Sequence, residues 1–480
     1  MRLRSSTGWG SSTGAAVPTV VATAAVFLVL GYLNKARCAA PPFGSAGFTV
    51  DGRTTFYDSV KDTAVCYSDI QHLWLGREIN NHIFPYLTGG ITPDGALFGG
   101  TVEYPVLGGL LMWLAAIPSS NDAQFLLWSA LLMAPFGLLT AWMLGRMSGW
   151  AAMLWSAGPP LVMYAFHNWE LPVVACAVGA IAIMTLLPAM PLRRRAILAS
   201  VVLAIGFCLK LYPGMFVAPL ALYVLTQGYD GHPIAGPTRV RDVTRAATGP
   251  IPIGGRPRYD IAGALAVIGA AVATVVVINL PFALLGPRGW WASFEFQSLR
   301  QADITTNSIW YWGLRPIMAS GGWTDQTEQS YNNLVSVLSP ALLILGFAAA
   351  LAIGWRRRAV VGAYPWVAVS AMMLCAFLLL HKVHSPQYTL WLVPFLVLLR
   401  VPWTLVGLYL VADLVMGIGV FRYFAAIGTG DYQLEQDIVQ VGVWGRAILL
   451  VILFAVFARA RLRREAPLER LRPHPAAMAD

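Results

Sequence analysis

Charge is scarce in this sequence. Only 12% of its 480 residues are Asp, Glu, Lys or Arg, against roughly 25% in a soluble globular protein. Apolar residues make up 57%, and the mean hydropathy is +0.62. A chain so poor in polar groups cannot cover a surface that faces water, so most of its solvent is lipid. This balance excludes a cytosolic enzyme, a secreted scaffold and a disordered protein. Ten-residue segments of alternating polarity are lacking too, which excludes an outer-membrane barrel. The five cysteines are too few for a disulfide scaffold, and no C-x-x-C or metal-like Cys/His spacing occurs. No D-x-D or nucleotide-binding motif is present, so neither a metal nor a cofactor is expected. Lysine is the rarest charge, with 4 Lys against 29 Arg.

The net charge of +10 does not point to nucleic acid. The arginines lie in short clusters between apolar segments, the positive-inside pattern of a polytopic helical protein. An uncleaved first span is expected within residues 1–34, with Arg2 and Arg4 placing its start in the cytoplasm. A long polar loop follows at 35–103. Apolar segments lie near 105–117, 123–145, 150–166, 170–190, 196–209, 212–226 and 260–285. A second polar loop occupies 286–333. Further segments lie near 334–354, 361–380, 387–400, 402–424 and 439–459, before a basic tail at 460–480. Arg193–Arg195, the stretch 227–259 (Arg239, Arg241, Arg245, Arg256, Arg258), Arg356–Arg358 and the tail (Arg459, Arg461, Arg463, Arg464) should be cytoplasmic. With the first span the segments are odd in number, while both termini read as cytoplasmic, so one does not cross. Segment 105–117 reaches only about 20 Å and is the candidate. The expected fold is therefore all-α and polytopic, with about 12 spans. The outer face would hold 35–103, 286–333, 381–386 and 425–438, with Lys210 at the tip of a short helical hairpin. Cys38 and Cys66 both fall in the first outer loop, where oxidising conditions let them pair.

The polar residues gather where the chain enters or leaves the membrane. The first loop reads Tyr67-Ser68-Asp69, then Phe84-Pro85-Tyr86, then Glu103-Tyr104-Pro105. Such acids are either solvated or serve as a base at the mouth of a cavity. Asp58 and Asp62 sit in a wetter stretch beside Lys61, whereas Asp69 precedes Ile70, Leu73, Trp74 and Leu75. That spacing predicts an amphipathic helix with Asp69 in its first turn, where the helix dipole favours the carboxylate. Lys210 follows a long apolar run. A buried charge there costs ~2.5–3.5 kcal/mol on insertion scales, so a partner or a ligand is expected. His167-Asn168-Trp169-Glu170 interrupts another apolar stretch. His381-Lys382-Val383-His384 crowds three potential cations at an outer helix end, a cluster suited to phosphate. The loop 286–333 sets Trp290, Trp291, Trp310, Tyr311 and Trp312 beside Arg300, Asp303 and Asn307. Aromatics with amides and carboxylates suit sugar rings, and equally a membrane-surface belt.

Taken in order, these motifs, with Asn168-Trp169-Glu170, Lys210-Leu211-Tyr212-Pro213, Asn307-Ser308-Ile309-Trp310 and Ser385-Pro386-Gln387-Tyr388-Thr389-Leu390-Trp391, resemble integral-membrane glycosyltransferases of the GT-C superfamily. The set looks like glycosyltransferase family 87, which includes actinobacterial polyprenyl-phosphate-mannose-dependent mannosyltransferases. It extends over roughly residues 60–400. The family commonly has a small residue or Asp where Glu170 stands, and Pro-Pro where Pro105-Val106 stands. The resemblance implies a GT-C-like fold and inverting transfer of a sugar, mannose first, from a polyprenyl-phosphate donor. The acceptor would be a cell-envelope glycolipid or polysaccharide at the outer face of the plasma membrane. Asp69 would be the base. Lys210, Lys382, His384 and Arg300 would bind the donor phosphate. Glu103, Tyr104, His167, Asn168, Glu170, Asp303, Asn307, Trp310, His381, Gln387 and Tyr388 would contact sugar or acceptor. Membrane lipid is the expected surround. The alternatives are a polyprenyl-phosphate-arabinofuranose donor and, in another class, a lipid flippase or transporter. The internal symmetry common in transporters is not visible.

Overall fold

The structure, a computed structural model, describes residues 9–228 and 259–463. Of the arginines expected in the cytoplasm, Arg2, Arg4, Arg239, Arg241, Arg245, Arg256, Arg258 and Arg464 lie outside the described residues. The described chain is helical, with one short hairpin, Gly90–Ile91 against Leu97–Phe98, in the first loop. Among the described residues, six helical stretches are long and apolar enough to cross a membrane: Ala15–Ala36, Asp122–Ser156, Ile261–Leu285, Asp325–Val361, Trp403–Ile427 and Gln433–Phe457. Shorter apolar helices accompany them: Val106–Ala116, Leu171–Leu186, Tyr212–Leu225, Trp366–Leu380 and Pro386–Leu398. This is an all-α membrane protein.

Sequence periodicity decides which faces turn inward. In the first helix Ala16, Val20, Ala24, Leu28, Gly31 and Lys35 are buried, while Val26, Val29, Leu30 and Leu33 are exposed. That is one stripe at helical spacing, with the lipid-facing residues opposite it. The helix Thr389–Leu398 is apolar around its whole circumference, and every residue in it is buried. A helix without a polar face belongs inside the bundle, and this one lies at its centre.

The segment expected at 150–166 is not one helix. Gly149 takes φ +60°, a conformation natural to glycine. A 3-10 turn Gly149–Ala152 and the short helices Met153–Ser156 and Pro159–Tyr164 follow. The Pro159-Pro160 pair restarts the chain at a helix N-terminus, where a missing N–H is harmless. This broken stretch delivers His167, Asn168 and Glu170 into the interior, all at most 3% exposed. By contrast 106–116, the segment doubted for its length, is a continuous helix.

The loop 286–333 is largely helical, contrary to expectation. It contains Pro287–Leu299 and a π-helical turn, Trp310–Leu314. The long helix Asp325–Val361 also starts inside it. Thr324 caps that helix, accepting from the Thr327 N–H at 3.2 Å, and Asp325 and Glu328 favour its positive end.

Charge separates to the two ends of the bundle. Arg193 pairs with Asp260, and Arg357 donates to the Ala458 and Arg459 carbonyls at the same end. The helix Leu192–Leu209 starts with Arg193, Arg194 and Arg195 in its first turn and is followed by Lys210 at the far end, 18 residues after Leu192, about 27 Å at 1.5 Å per residue. There, a disulfide between Cys38 and Cys66 ties the end of the first helix to the stretch before Asp69.

Candidate active site

Asp69 opens the helix Asp69–Gly76, and Ile70, Leu73 and Trp74 face the core. Its backbone is pinned from two sides. The Asp69 N–H donates to the His167 carbonyl at 2.8 Å, and the Ser68 hydroxyl donates to the Phe166 carbonyl at 2.8 Å. The buried Tyr57 hydroxyl donates to the Ser68 carbonyl at 2.9 Å. The loop therefore docks on the broken segment rather than floating above the membrane. The carboxylate is half-buried and held at both oxygens. Tyr67 Oη donates to Oδ1 at 2.9 Å, and Asn168 Nδ2 donates to Oδ2 at 2.7 Å. The same amide donates to Tyr104 Oη at 2.7 Å. An ionised carboxylate accepts such bonds readily, and its partial exposure leaves it within reach of an incoming hydroxyl.

Beside it lies a buried ion pair. Lys210 Nζ contacts Glu170 Oε1, and Trp391 Nε1 donates to Glu170 Oε2 at 2.6 Å. The ammonium lies 5.3–5.5 Å from the ring centres of Tyr388, Tyr104 and Trp391, within cation–π range. Trp391 stacks on Tyr388 at 3.9 Å and on Tyr212 at 4.1 Å. The partner that Lys210 needs is thus supplied by the protein, with Glu170 as its counter-ion.

Other sequence-derived candidates have partners within the protein. Glu103 is held by Arg77, with Nε donating at 2.7 Å, and its carbonyl accepts from Gln297 Nε2 at 2.7 Å. It orders the loop. Asp58 pairs with Arg53, not Lys61; Lys61 pairs with Asp62. The buried indole of Trp310 donates to the Leu380 carbonyl at 2.9 Å, a packing role. Asp303 accepts from the Thr305 N–H and hydroxyl at 2.8 and 2.6 Å, closing its own turn. The expected triple cation at 381–384 does not form. Burial pushes His381 down to about 4, and burial, Arg446 and His381 lower His384 well below the ordinary histidine value. Both imidazoles are neutral at pH 7. Lys382 donates to the Ser298 carbonyl at 3.2 Å and lies near Arg300. Asn307 Oδ1, Gln387 Oε1 and His384 Nε2 are buried without a protein partner.

Three groups escaped the sequence reading. Lys35 is 1% exposed and donates to the Tyr67 carbonyl at 2.8 Å. Its place on the buried stripe of the first helix was the available signal. Asp413 and Arg446 form a second buried pair at 3.3 Å, and Thr389 Oγ1 donates to Asp413 at 2.5 Å. Each lies in the interior of an apolar helix, which marks an intramembrane charge in need of a partner.

An apolar cavity of about 390 Å³ adjoins this end. It is lined by Pro105, Phe207, Cys208, Val276, Leu280 and Trp290, among others. Pro105 follows Tyr104, and Cys208 lies two residues before Lys210, so the cavity borders the polar cluster. Among the described residues no group of three His, Cys, Asp or Glu side chains is placed to hold a metal ion. Comparison with protein-family models and with curated proteins finds no match for the chain.

Proposed function

We propose that this protein is an inverting membrane glycosyltransferase with a GT-C-like fold of about 12 crossings. In this reading it transfers a sugar, mannose first, from a polyprenyl-phosphate donor to a glycolipid or polysaccharide acceptor. The site end of the bundle would face outward and the arginine end the cytoplasm. The observation that carries the reading is the Asp69 carboxylate, held at both oxygens by Tyr67 and Asn168 and half-exposed beside a buried ion pair.

The chemistry follows from that arrangement. An acceptor hydroxyl hydrogen-bonds to Asp69 and attacks the anomeric carbon from the face opposite the phosphate. Asp69 takes the hydroxyl proton as the new glycosidic bond forms. The bond from the anomeric carbon to the phosphate oxygen breaks, and both its electrons leave with the polyprenyl phosphate. That group is already a weak base, so no strong general acid is required. The charges balance around the step. Glu170 opposes Lys210 before it. Protonation of Asp69 then leaves the cluster more positive by one unit as the departing phosphate gains one negative charge. Lys210, Lys382 and Arg300 are the cations suited to stabilise that charge. The apolar cavity beside Pro105 and Cys208 suits a polyprenyl chain.

The test is incubation of membranes carrying the protein with labelled polyprenyl-phosphate mannose and, separately, polyprenyl-phosphate arabinose. Transfer of label to lipid or polymer by the wild type, absent with Asp69→Asn, supports the reading and names the sugar. Turnover of neither donor overturns it.

A further inference from the structure

The arginine end of the bundle gathers like charges from three distant stretches of the chain. Arg357 belongs to the helix Asp325–Val361. Arg400 lies in the link between the helices Thr389–Leu398 and Trp403–Ile427, and Arg459, Arg461 and Arg463 follow the helix Gln433–Phe457. The link and the final stretch are laced together by their backbones. The Arg400 N–H donates to the Arg461 carbonyl at 2.9 Å, and the Arg463 N–H donates to the Leu398 carbonyl at 2.8 Å. Two of the arginines lock this arrangement. Arg357 donates to the Ala458 and Arg459 carbonyls, and Arg463 Nε donates to the Val397 carbonyl at 3.0 Å. The other three, Arg400, Arg459 and Arg461, are exposed. Their charges reach the locked pair: Arg459 and Arg461 act on Arg357, and Arg400 acts on Arg463.

Among the described residues no carboxylate pairs with any of the five. Asp260, an acid of the same end, is bonded to Arg193. Crowding like charges costs Coulomb energy, and a surface of one sign concentrates ions of the other. The level of the cluster identifies the anion. The Arg463 guanidinium lies 4.4 Å from the centre of the Trp403 ring, and Trp403 is 52% exposed at the start of a membrane-long helix. An exposed tryptophan at such a helix end marks the headgroup level. Leu408 and Val411 on that helix, with Val451 and Ile452 on the next, are exposed as lipid-facing side chains. The anions at that level are lipid phosphates, whose geometry suits the paired N–H donors of a guanidinium.

We propose that Arg400, Arg459 and Arg461 form a binding site for the phosphodiester headgroup of an anionic membrane phospholipid, framed by Arg357 and Arg463. A bound lipid would tie the end of the last helix and the link at 399–402 to the membrane surface. Basic pockets between helices at this level are suited to such headgroups. The proposal needs only the membrane class of the protein and stands apart from the transferase reading.

The test is native mass spectrometry of the detergent-purified full chain, titrated with cardiolipin, phosphatidylglycerol or phosphatidylcholine. The wild type should hold the two anionic lipids and release the zwitterionic one. Arg459→Gln/Arg461→Gln should weaken binding of the anionic lipids by about 30-fold, at about fivefold for each arginine near an anionic surface. Both side chains are exposed, and the structural bonds of these residues run through their carbonyls, which the variant keeps. If the double variant does not accumulate, Arg400→Gln replaces it, with an expected loss of about fivefold. Arg194→Glu changes the net charge by the same two units at the start of the helix Leu192–Leu209, and it should bind lipid as the wild type does. Equal weakening by Arg194→Glu and the double variant would reveal a general surface attraction and overturn the site. Undiminished binding in the double variant, or equal retention of phosphatidylcholine by the wild type, would overturn it too. Inorganic phosphate should not displace the bound lipid. Displacement would assign the arginines to a soluble phosphate and overturn the lipid as occupant.

Discussion

At the scale of single residues, the acids of the first loop differ in what holds them. Asp58 is paired with Arg53 and its side chain is 63% exposed, whereas Asp69 is held by Tyr67 and Asn168 beside the interior. Asp69→Asn keeps the shape and removes the basicity, so sugar transfer should fall by ~10²–10⁴-fold. Asp58→Asn should transfer at a rate near wild type in the same assay. Dead Asp58→Asn with active Asp69→Asn would move the base. His381 offers a pH signature outside the membrane-spanning helices. Its folded-state value, about 4, lies below the ordinary 6.5, so the folded protein resists protonating it. The stability it contributes is fully present above pH 6.5 and is lost as pH falls from there toward 4. Thermal unfolding in detergent should show a declining midpoint across that window, and His381→Phe should flatten the decline.

At the scale of elements, the helices Trp403–Ile427 and Gln433–Phe457 meet in a close seam. A Cβ at Gly442 would lie 2.5–2.6 Å from Met416 atoms, backbone among them. The two helices touch there because glycine has no side chain. Gly442→Ala should part them and cost ~1–3 kcal/mol, read as a lowered unfolding midpoint. The same seam buries Asp413 against Arg446, each about 1% exposed at the side chain. Asp413→Leu strands the guanidinium and should cost ~3–5 kcal/mol. Among loops, Cys38 and Cys66 close a 28-residue separation. Their loss should cost ~3.5 kcal/mol in the chain-entropy model, and it should also loosen the contact between Lys35 and Tyr67. Mass mapping of non-reduced peptides checks the link, and unfolding of Cys38→Ser checks the energy.

At the scale of the whole molecule, the acids, amides and aromatics around Asp69 and Lys210 converge at one end, while Arg193, Arg357 and Arg358 lie at the other. Arginine placement predicts that the Lys210 end faces outward. In intact cells, a cysteine introduced at Asp94, in the exposed hairpin loop, should react with an impermeant thiol reagent. A cysteine at Arg356 should react only after the membrane is opened. Labelling of the Arg356 position in intact cells would reverse the orientation and remove the outer-face reading.

What the sequence determined by itself was local. Hydropathy and run length set the membrane class and most helix positions, because a helix satisfies its backbone within its own segment. The apolar spacing after Asp69 set the helix that starts there, observed at Asp69–Gly76. Gly149 and Pro159-Pro160 were visible breaks within an apolar run, yet whether that run continued through them depended on its neighbours. The tertiary structure alone decided the pairings. Lys210 meets Glu170 across 40 residues, Arg77 meets Glu103 across 26, and Lys35 reaches His167 across 132. It also turned two expected cations neutral by burying His384 and half-burying His381. No spacing rule encodes such contacts. They depend on where helices cross and how deeply each side chain is covered, which only the packing of the whole bundle sets.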